Sequence, residues 1–91
     1  ENLMVVAAND GVAAWIIDHA AVMGSRPPRD FRLMGFDNAL TFRHYNLTTV
    51  AVALDKIGGA LAEMITSKLP LKSDELRYNI FLKPLVIERS T

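Results

Sequence analysis

Two short apolar runs, each closed by a carboxylate beside an amide, do most to limit what this chain can become. The first is Leu3-Met4-Val5-Val6-Ala7-Ala8, ending at Asn9-Asp10-Gly11. The second is Phe31-Arg32-Leu33-Met34-Gly35-Phe36, ending at Asp37-Asn38. The unbroken apolarity of the first run predicts a strand covered on both faces, as in a parallel sheet. Between the runs, Gly11 to Met23 reads as a helix. Its apolar positions cover most of the circumference, which predicts packing on two sides. Asn9 or Asp10 suits the N-cap, because a short side-chain oxygen can take a free N–H of the first turn. Gly24 suits the position just past the helix end, and Pro27-Pro28 forbids continuation. Strand, helix and strand over residues 3 to 36 make one βαβ unit, whose crossover is right-handed as a rule.

The remainder continues in the same style. Residues 39 to 46, with Phe42, Arg43, His44 and Tyr45, read as a loop. Leu47-Thr48-Thr49-Val50 is a β-prone run. Leu54, Ile57, Gly58, Leu61, Ala62 and Ile65 then fall on one helical stripe, giving an amphipathic helix over 54–69 that Pro70 closes. Gly58 on that stripe suggests a close approach to a sheet. Residues 77–82 and 85–88 are strand-like runs split by Lys83-Pro84, where proline removes a ladder donor. Strands alternating with helices predict an α/β fold with a mainly parallel sheet.

Charge and composition narrow the function. Ten basic residues balance ten acidic ones in 91 residues, so the chain offers no electrostatic grip on nucleic acid or a membrane surface. No apolar run reaches the roughly 18 residues of a membrane-spanning helix. The absence of cysteine removes disulfides, thiolate metal sites and thiol nucleophiles together. The opening Glu1-Asn2 carries neither an initiator Met nor a basic n-region, which predicts a piece of a longer protein without a signal peptide. A chain this short hides only about 60–65% of its unfolded surface. Its 51% apolar content therefore predicts exposed apolar area and a missing covering partner.

The most informative positions are the polar pairs, 28 positions apart from Asn9 to Asp37. Open α/β sheets bind ligands at the C-terminal edge of their strands. Amides donate and accept there, and carboxylates accept, so the two pairs suit a polyhydroxy ligand. The competing reading is that both are only caps and turns. His19 and His44 have no convergent companions for a metal, and no cofactor is expected. No serine lies in a Gly-x-Ser-x-Gly setting. Nothing orders a nucleophile, a base and an orienting group around Asp37 and His44, so an enzyme is not expected. Trp15 reads as core or subunit interface. The aromatic and cationic loop Phe42-Arg43-His44-Tyr45 suits a protein interface.

Taken in order, Val6-Ala7-Ala8-Asn9-Asp10, Leu33-Met34-Gly35-Phe36-Asp37-Asn38, Leu47-Thr48-Thr49-Val50, the helix with Ile57-Gly58, and Leu85-Val86-Ile87-Glu88-Arg89-Ser90-Thr91 follow a known pattern. The chain resembles the C-terminal part of the effector-binding domain of lactose/galactose-repressor (LacI/GalR) family transcription regulators. The family carries an AND turn, a VGFDD strand end, an LTTV strand and a final LVxRxST run. Each alone is weak, but four in order cover nearly the whole chain.

The resemblance implies a periplasmic-binding-protein-like fold of type I, doubly wound with a mainly parallel sheet. Two subdomains close on a small molecule, often a sugar, sugar phosphate or nucleoside. Residues 1–50 and 84–91 would belong to the C-terminal subdomain and 54–83 to the N-terminal one. Asn9 and Asp37 match common effector contacts, Leu54 would face the cleft, and Asp10 would cap its helix. Trp15, Phe42 and Tyr45 fall in regions that build the homodimer interface. Val52 and Ala53 stand where the family often carries Gln-Pro, which leaves a polar contact at Val52 unsupported. The chain is thus expected to sense an effector and dimerise within a cytoplasmic regulator whose DNA-binding domain lies outside these residues. The alternative is a fragment of a periplasmic sugar-binding protein of an importer.

Overall fold

The computed structural model describes residues 2–66 and 83–91. Its contacts divide the chain into two units, Glu1–Ala51 with Leu85–Thr91, and Val52–Pro84.

The first unit holds β1 (Met4–Val6), α1 (Asp10–Val22), β2 (Arg32–Met34), a 3-10 helix (Leu40–Tyr45), β3 (Thr49–Ala51) and β4 (Leu85–Ile87). β1 and β2 pair in parallel with Val5 opposite Leu33, so the expected βαβ unit is present. β3 continues beside the end of β2 through single parallel bridges, Met34 to Thr48 and Asp37 to Ala51. The Gly35 N–H donates to the Thr48 carbonyl at 2.8 Å and the Asp37 N–H to the Val50 carbonyl at 2.9 Å. β4 breaks the parallel pattern by pairing antiparallel to β3, with Val50 opposite Val86. The chain after β4 turns inward. The Leu33 N–H donates to the Thr91 carbonyl at 2.9 Å, and the Thr91 hydroxyl donates back to the Leu33 carbonyl at 3.0 Å.

The core is small. Ala7, Ala13, Leu33 and Leu47 form its buried centre, and Val5, Ile16, Ile17, Phe31, Phe42 and Tyr45 pack against it. α1 meets this core through Ala13, Ala14 and Ala20, small side chains that let the helix lie close. The expected two-sided packing of α1 is therefore not reached within this unit. Ile16 and Ile17 pack on the core, but Trp15 is 60% exposed and Val22 87%, so part of the apolar surface of α1 looks outward. The helix ends as expected, with Met23 as C-cap and Gly24 at φ +73°, a left-handed conformation that suits glycine. The peptide bond between Pro27 and Pro28 is cis.

Residues 39–46 differ from the expected loop. Leu40–Tyr45 wind into a 3-10 helix that ends at Asn46, a left-handed residue with φ 57°. The turn sets Phe42 over Gly11, where a Cβ would lie 3.5 Å from the ring.

In the second unit, α2 spans Leu54–Ile65. None of its residues is buried, and Leu54, Leu61 and Ile65 are exposed. Among the described residues, a Cβ at Gly58 would meet nothing within 4 Å. The C-terminal end of the expected 54–69 helix and the expected strand over 77–82 lie outside the described residues. Among the described residues, no helix is long and apolar enough to cross a membrane.

Candidate functional site

Past the C-terminal ends of β1 and β2 the two backbones stay joined, the Ala7 N–H donating to the Met34 carbonyl at 2.8 Å. The Asp10 N–H donates to the Phe36 carbonyl at 2.9 Å, so the backbone at Asn9-Asp10 runs against that at Phe36-Asp37. Asn9 and Asp37 are both exposed. The two backbones that carry the expected effector contacts are thus neighbours on one open rim. A cavity of about 390 Å³, lined by Leu3, Met4, Pro28, Arg29 and Arg32 among others, lies at the opposite strand ends.

Asn9 is the N-cap of α1. Its φ of −157° is extended backbone, and its Oδ1 accepts from the Val12 N–H at 2.8 Å. This corrects the expectation that Asp10 caps the helix. A cap must lie outside the helical conformation while its oxygen reaches back to the first turn, and Asp10 is already the first helical residue. Capping occupies one acceptor of Asn9 and leaves its Nδ2 amide able to donate.

Asp10 is instead a buried hub, only 2% exposed. Its Oδ1 accepts from the Thr49 hydroxyl at 2.7 Å and its Oδ2 from the Ala39 N–H at 2.8 Å. A buried carboxylate survives only where such donors replace water. Gly35 makes room for it: a Cβ there would collide with the carboxylate and sit 3.2 Å from the Asp10 Cα.

Asp37 is the opposite case. Its φ is 111°, followed by Asn38 at 56°, two successive non-glycine residues in the left-handed half of backbone space. Such residues cost on the order of 1–3 kcal/mol each and persist only where their surroundings hold them. The turn is held through its backbone, the Asn38 N–H donating to the Thr49 hydroxyl at 3.2 Å. Arg89 adds a grip, its Nη2 donating to the Asn38 Oδ1 at 3.0 Å and its Nη1 to the Leu47 carbonyl at 2.9 Å. The Asp37 carboxylate itself makes no hydrogen bond among the described residues, leaving it able to accept from a ligand.

The other expected site residues spread more widely. Trp15 stacks on His19 with ring centroids 3.8 Å apart, and His19 Nδ1 lies 2.9 Å from the Trp15 carbonyl. Phe42 and Tyr45 are half-buried against the unit's own core. The Tyr45 hydroxyl donates to Asp18 Oδ2 at 2.9 Å, and that bond holds the phenol above the ordinary tyrosine range. Leu54 opens α2 in the second unit and is 67% exposed. Among the described residues, no three His, Asp or Glu side chains gather as metal ligands. Sequence reasoning did not single out Thr49, Arg89 or Thr91. The available signal was a set of hydroxyls in or just beyond otherwise apolar strands, since Thr49 is fully buried and Thr91 is 5% exposed. Such groups need partners.

The family described as periplasmic binding protein-like domain matches residues 4–91, from the first residue of β1 through Thr91. The chain belongs to that family. Among curated proteins it is similar to the HTH-type transcriptional repressor PurR of two Klebsiella pneumoniae strains, MGH 78578 and 342. Each is 32% identical over 87 residues. Those matches cover 93% of this chain but 25% of the relatives, so the chain spans about a quarter of their length. No solved structure gives a significant match. The match to named repressors agrees with the resemblance to LacI/GalR regulators carried by the strand-end motifs. Within this periplasmic binding protein-like domain, the Asn9 and Asp37 rim stands at the strand edge where open α/β sheets take ligands.

Proposed function

We propose that the chain is the effector-sensing and dimerising portion of a LacI/GalR-type transcription regulator, with the type I doubly wound fold of that family. It takes a small polyhydroxy ligand, a sugar or a close relative. Asn9 Nδ2 donates to it and the Asp37 carboxylate accepts from its hydroxyls. The observation that best supports this is Asp37 itself. It occupies a costly backbone conformation, yet its side chain does nothing for the fold among the described residues. Strain without a structural return marks a residue held for something else.

Such a regulator works by linkage. The ligand favours the arrangement to which it binds more tightly, by its differential affinity alone. The change of arrangement re-angles the homodimer, with Trp15, Phe42 and Tyr45 in its interface, and so alters how DNA-binding units outside these residues are spaced. The protein acts as a binding module in the cytoplasm rather than as an enzyme, and it needs no metal or cofactor.

The test uses the intact protein. Thermal unfolding against a panel of monosaccharides, sugar phosphates and nucleosides identifies a stabilising ligand. Calorimetry with that ligand then compares wild type with Asp37→Ala. Loss of a charged hydrogen bond should weaken binding by about 1.5–3 kcal/mol, tenfold or more. Unchanged affinity removes Asp37 from the site. A panel in which nothing stabilises the wild type removes the ligand class.

A further inference from the structure

The Asp37-Asn38 turn is held by residues from three separate passages of the chain. Asp10 comes from the start of α1, Thr49 from β3 and Arg89 from the segment just beyond β4. Their hydrogen bonds form one directed series. Arg89 has donors only, so the Asn38 Oδ1 must face it. The Asn38 N–H donates to the Thr49 hydroxyl. That hydroxyl has a single proton and gives it to Asp10 Oδ1, while Asp10 Oδ2 takes the Ala39 N–H. Every group in the series has one role, and none can be reversed.

Asp10 and Thr49 fix backbone N–H groups, which would hold a range of residues at positions 37 and 38. Among the described residues, Arg89 alone takes hold of a side chain of the turn. It also ties that side chain to the Leu47 carbonyl and, through its own N–H, to the Thr48 hydroxyl at 3.1 Å. We propose that Arg89 is a positioning residue for the Asp37 rim: by gripping Asn38 it keeps the turn in its left-handed conformation and so presents the Asp37 carboxylate. The proposal rests on the reading of Asp37 as an effector contact. It extends that reading by making the rim's shape depend on a strand that rejoins this unit only after residues 52–84. A rim built this way changes shape when the returning strand shifts, with no contact between Arg89 and the ligand.

The test is hydrogen–deuterium exchange on the full-length protein, read on the peptide that covers residues 36–41, beside calorimetry with the ligand found by the sugar panel. Arg89→Met keeps the apolar stem and removes both donors. Asn38→Gly keeps a residue at ease with positive φ and removes the acceptor, leaving Arg89 bound to Leu47. Each should speed exchange at 36–41 about tenfold or more, as expected for loss of a charged hydrogen bond. The double variant should add little to either single one, because both remove the same contact. Arg89→Lys should restore part of the protection. Asp37→Ala should leave exchange at 36–41 nearly unchanged while it lowers affinity. If Arg89→Met does not fold, Asn38→Gly decides alone. Unchanged exchange at 36–41 in Asn38→Gly overturns the proposal. So does a rise spread evenly over α1 and β1, the mark of general loosening. The effector reading fails on the affinity arm by itself, through Asp37→Ala, whatever the exchange arm gives.

Discussion

The two polar pairs look alike in sequence and behave as opposites in the fold. After β1, the first residue of the pair caps a helix and the second is buried as a hydrogen-bond hub. After β2, the first residue stands exposed without a side-chain partner among the described residues, and the second is gripped by Arg89. Backbone direction makes the difference. Asn9 leaves its strand in an extended conformation that leads straight into α1, whereas Asp37 and Asn38 turn back through positive φ. The same residue types thus serve the helix at one strand end and the rim at the other. The pairs are also joined, since Asp10 in the first holds Ala39 just beyond the second.

The largest effect should come from removing that joint. Asp10→Ala in the intact protein leaves the Thr49 hydroxyl and the Ala39 N–H without their acceptor inside the fold. Each stranded group costs on the order of 1–3 kcal/mol, so the loss should be about 3 kcal/mol in urea unfolding with an unchanged slope. Asp10→Asn should fall between, because its Nδ2 sets a donor against a donor. If Asp10→Ala unfolds at the wild-type midpoint, the two pairs are independent and the comparison breaks. Gly35→Ala should mimic part of the loss by driving a methyl into the same carboxylate.

Much of this contrast could be read ahead of the fold, though not the part that matters most. The βαβ unit, the stop at Gly24 and the β-prone run before Ala51 follow from local chemistry. A cap residue at 9 or 10 was equally legible, but the choice between the two was not, because both side chains can cap and only burial separates them. The series Arg89, Asn38, Thr49 and Asp10 joins positions 11 to 51 apart along the chain. Local periodicity carries no trace of such pairings. The 3-10 helix over Leu40–Tyr45 was missed for a related reason. It is held by packing of Phe42 and Tyr45 on α1 and the core rather than by its own propensity. The outward-facing Trp15 and Val22 show that an all-round apolar helix counts partners that the described residues need not supply.

The next effect separates capping from ligand binding at Asn9. Asn9→Ala should cost about 1 kcal/mol through the lost cap. Asn9→Asp keeps the capping oxygen, and its charge suits the positive end of α1, so stability should hold within a few tenths of a kcal/mol. The same variant loses the Nδ2 donor, so affinity for the sugar should fall while the unfolding midpoint stays. If Asn9→Asp binds as well as wild type, Asn9 is a cap and nothing more, and the rim narrows to Asp37.

The smallest effect runs the other way. Asp37→Gly replaces a strained residue with one that accepts φ 111° without a steric penalty. Glycine also loosens the unfolded chain, which offsets part of the gain. The net should be a stabilisation of about 0.5–1 kcal/mol, read as a raised urea midpoint. The same change removes the carboxylate, so ligand affinity should drop tenfold or more. A variant at once more stable and less able to bind is what a residue held for function gives when released. The equivalent change at the first strand end, Asp10→Gly, should lose stability instead, because there the carboxylate carries part of the fold. Two aspartates one residue past or before their strand-end partners would then respond with opposite sign. If Asp37→Gly lowers the midpoint, the positive φ is not a cost borne for the rim, and Asp37 joins Asp10 as a structural residue.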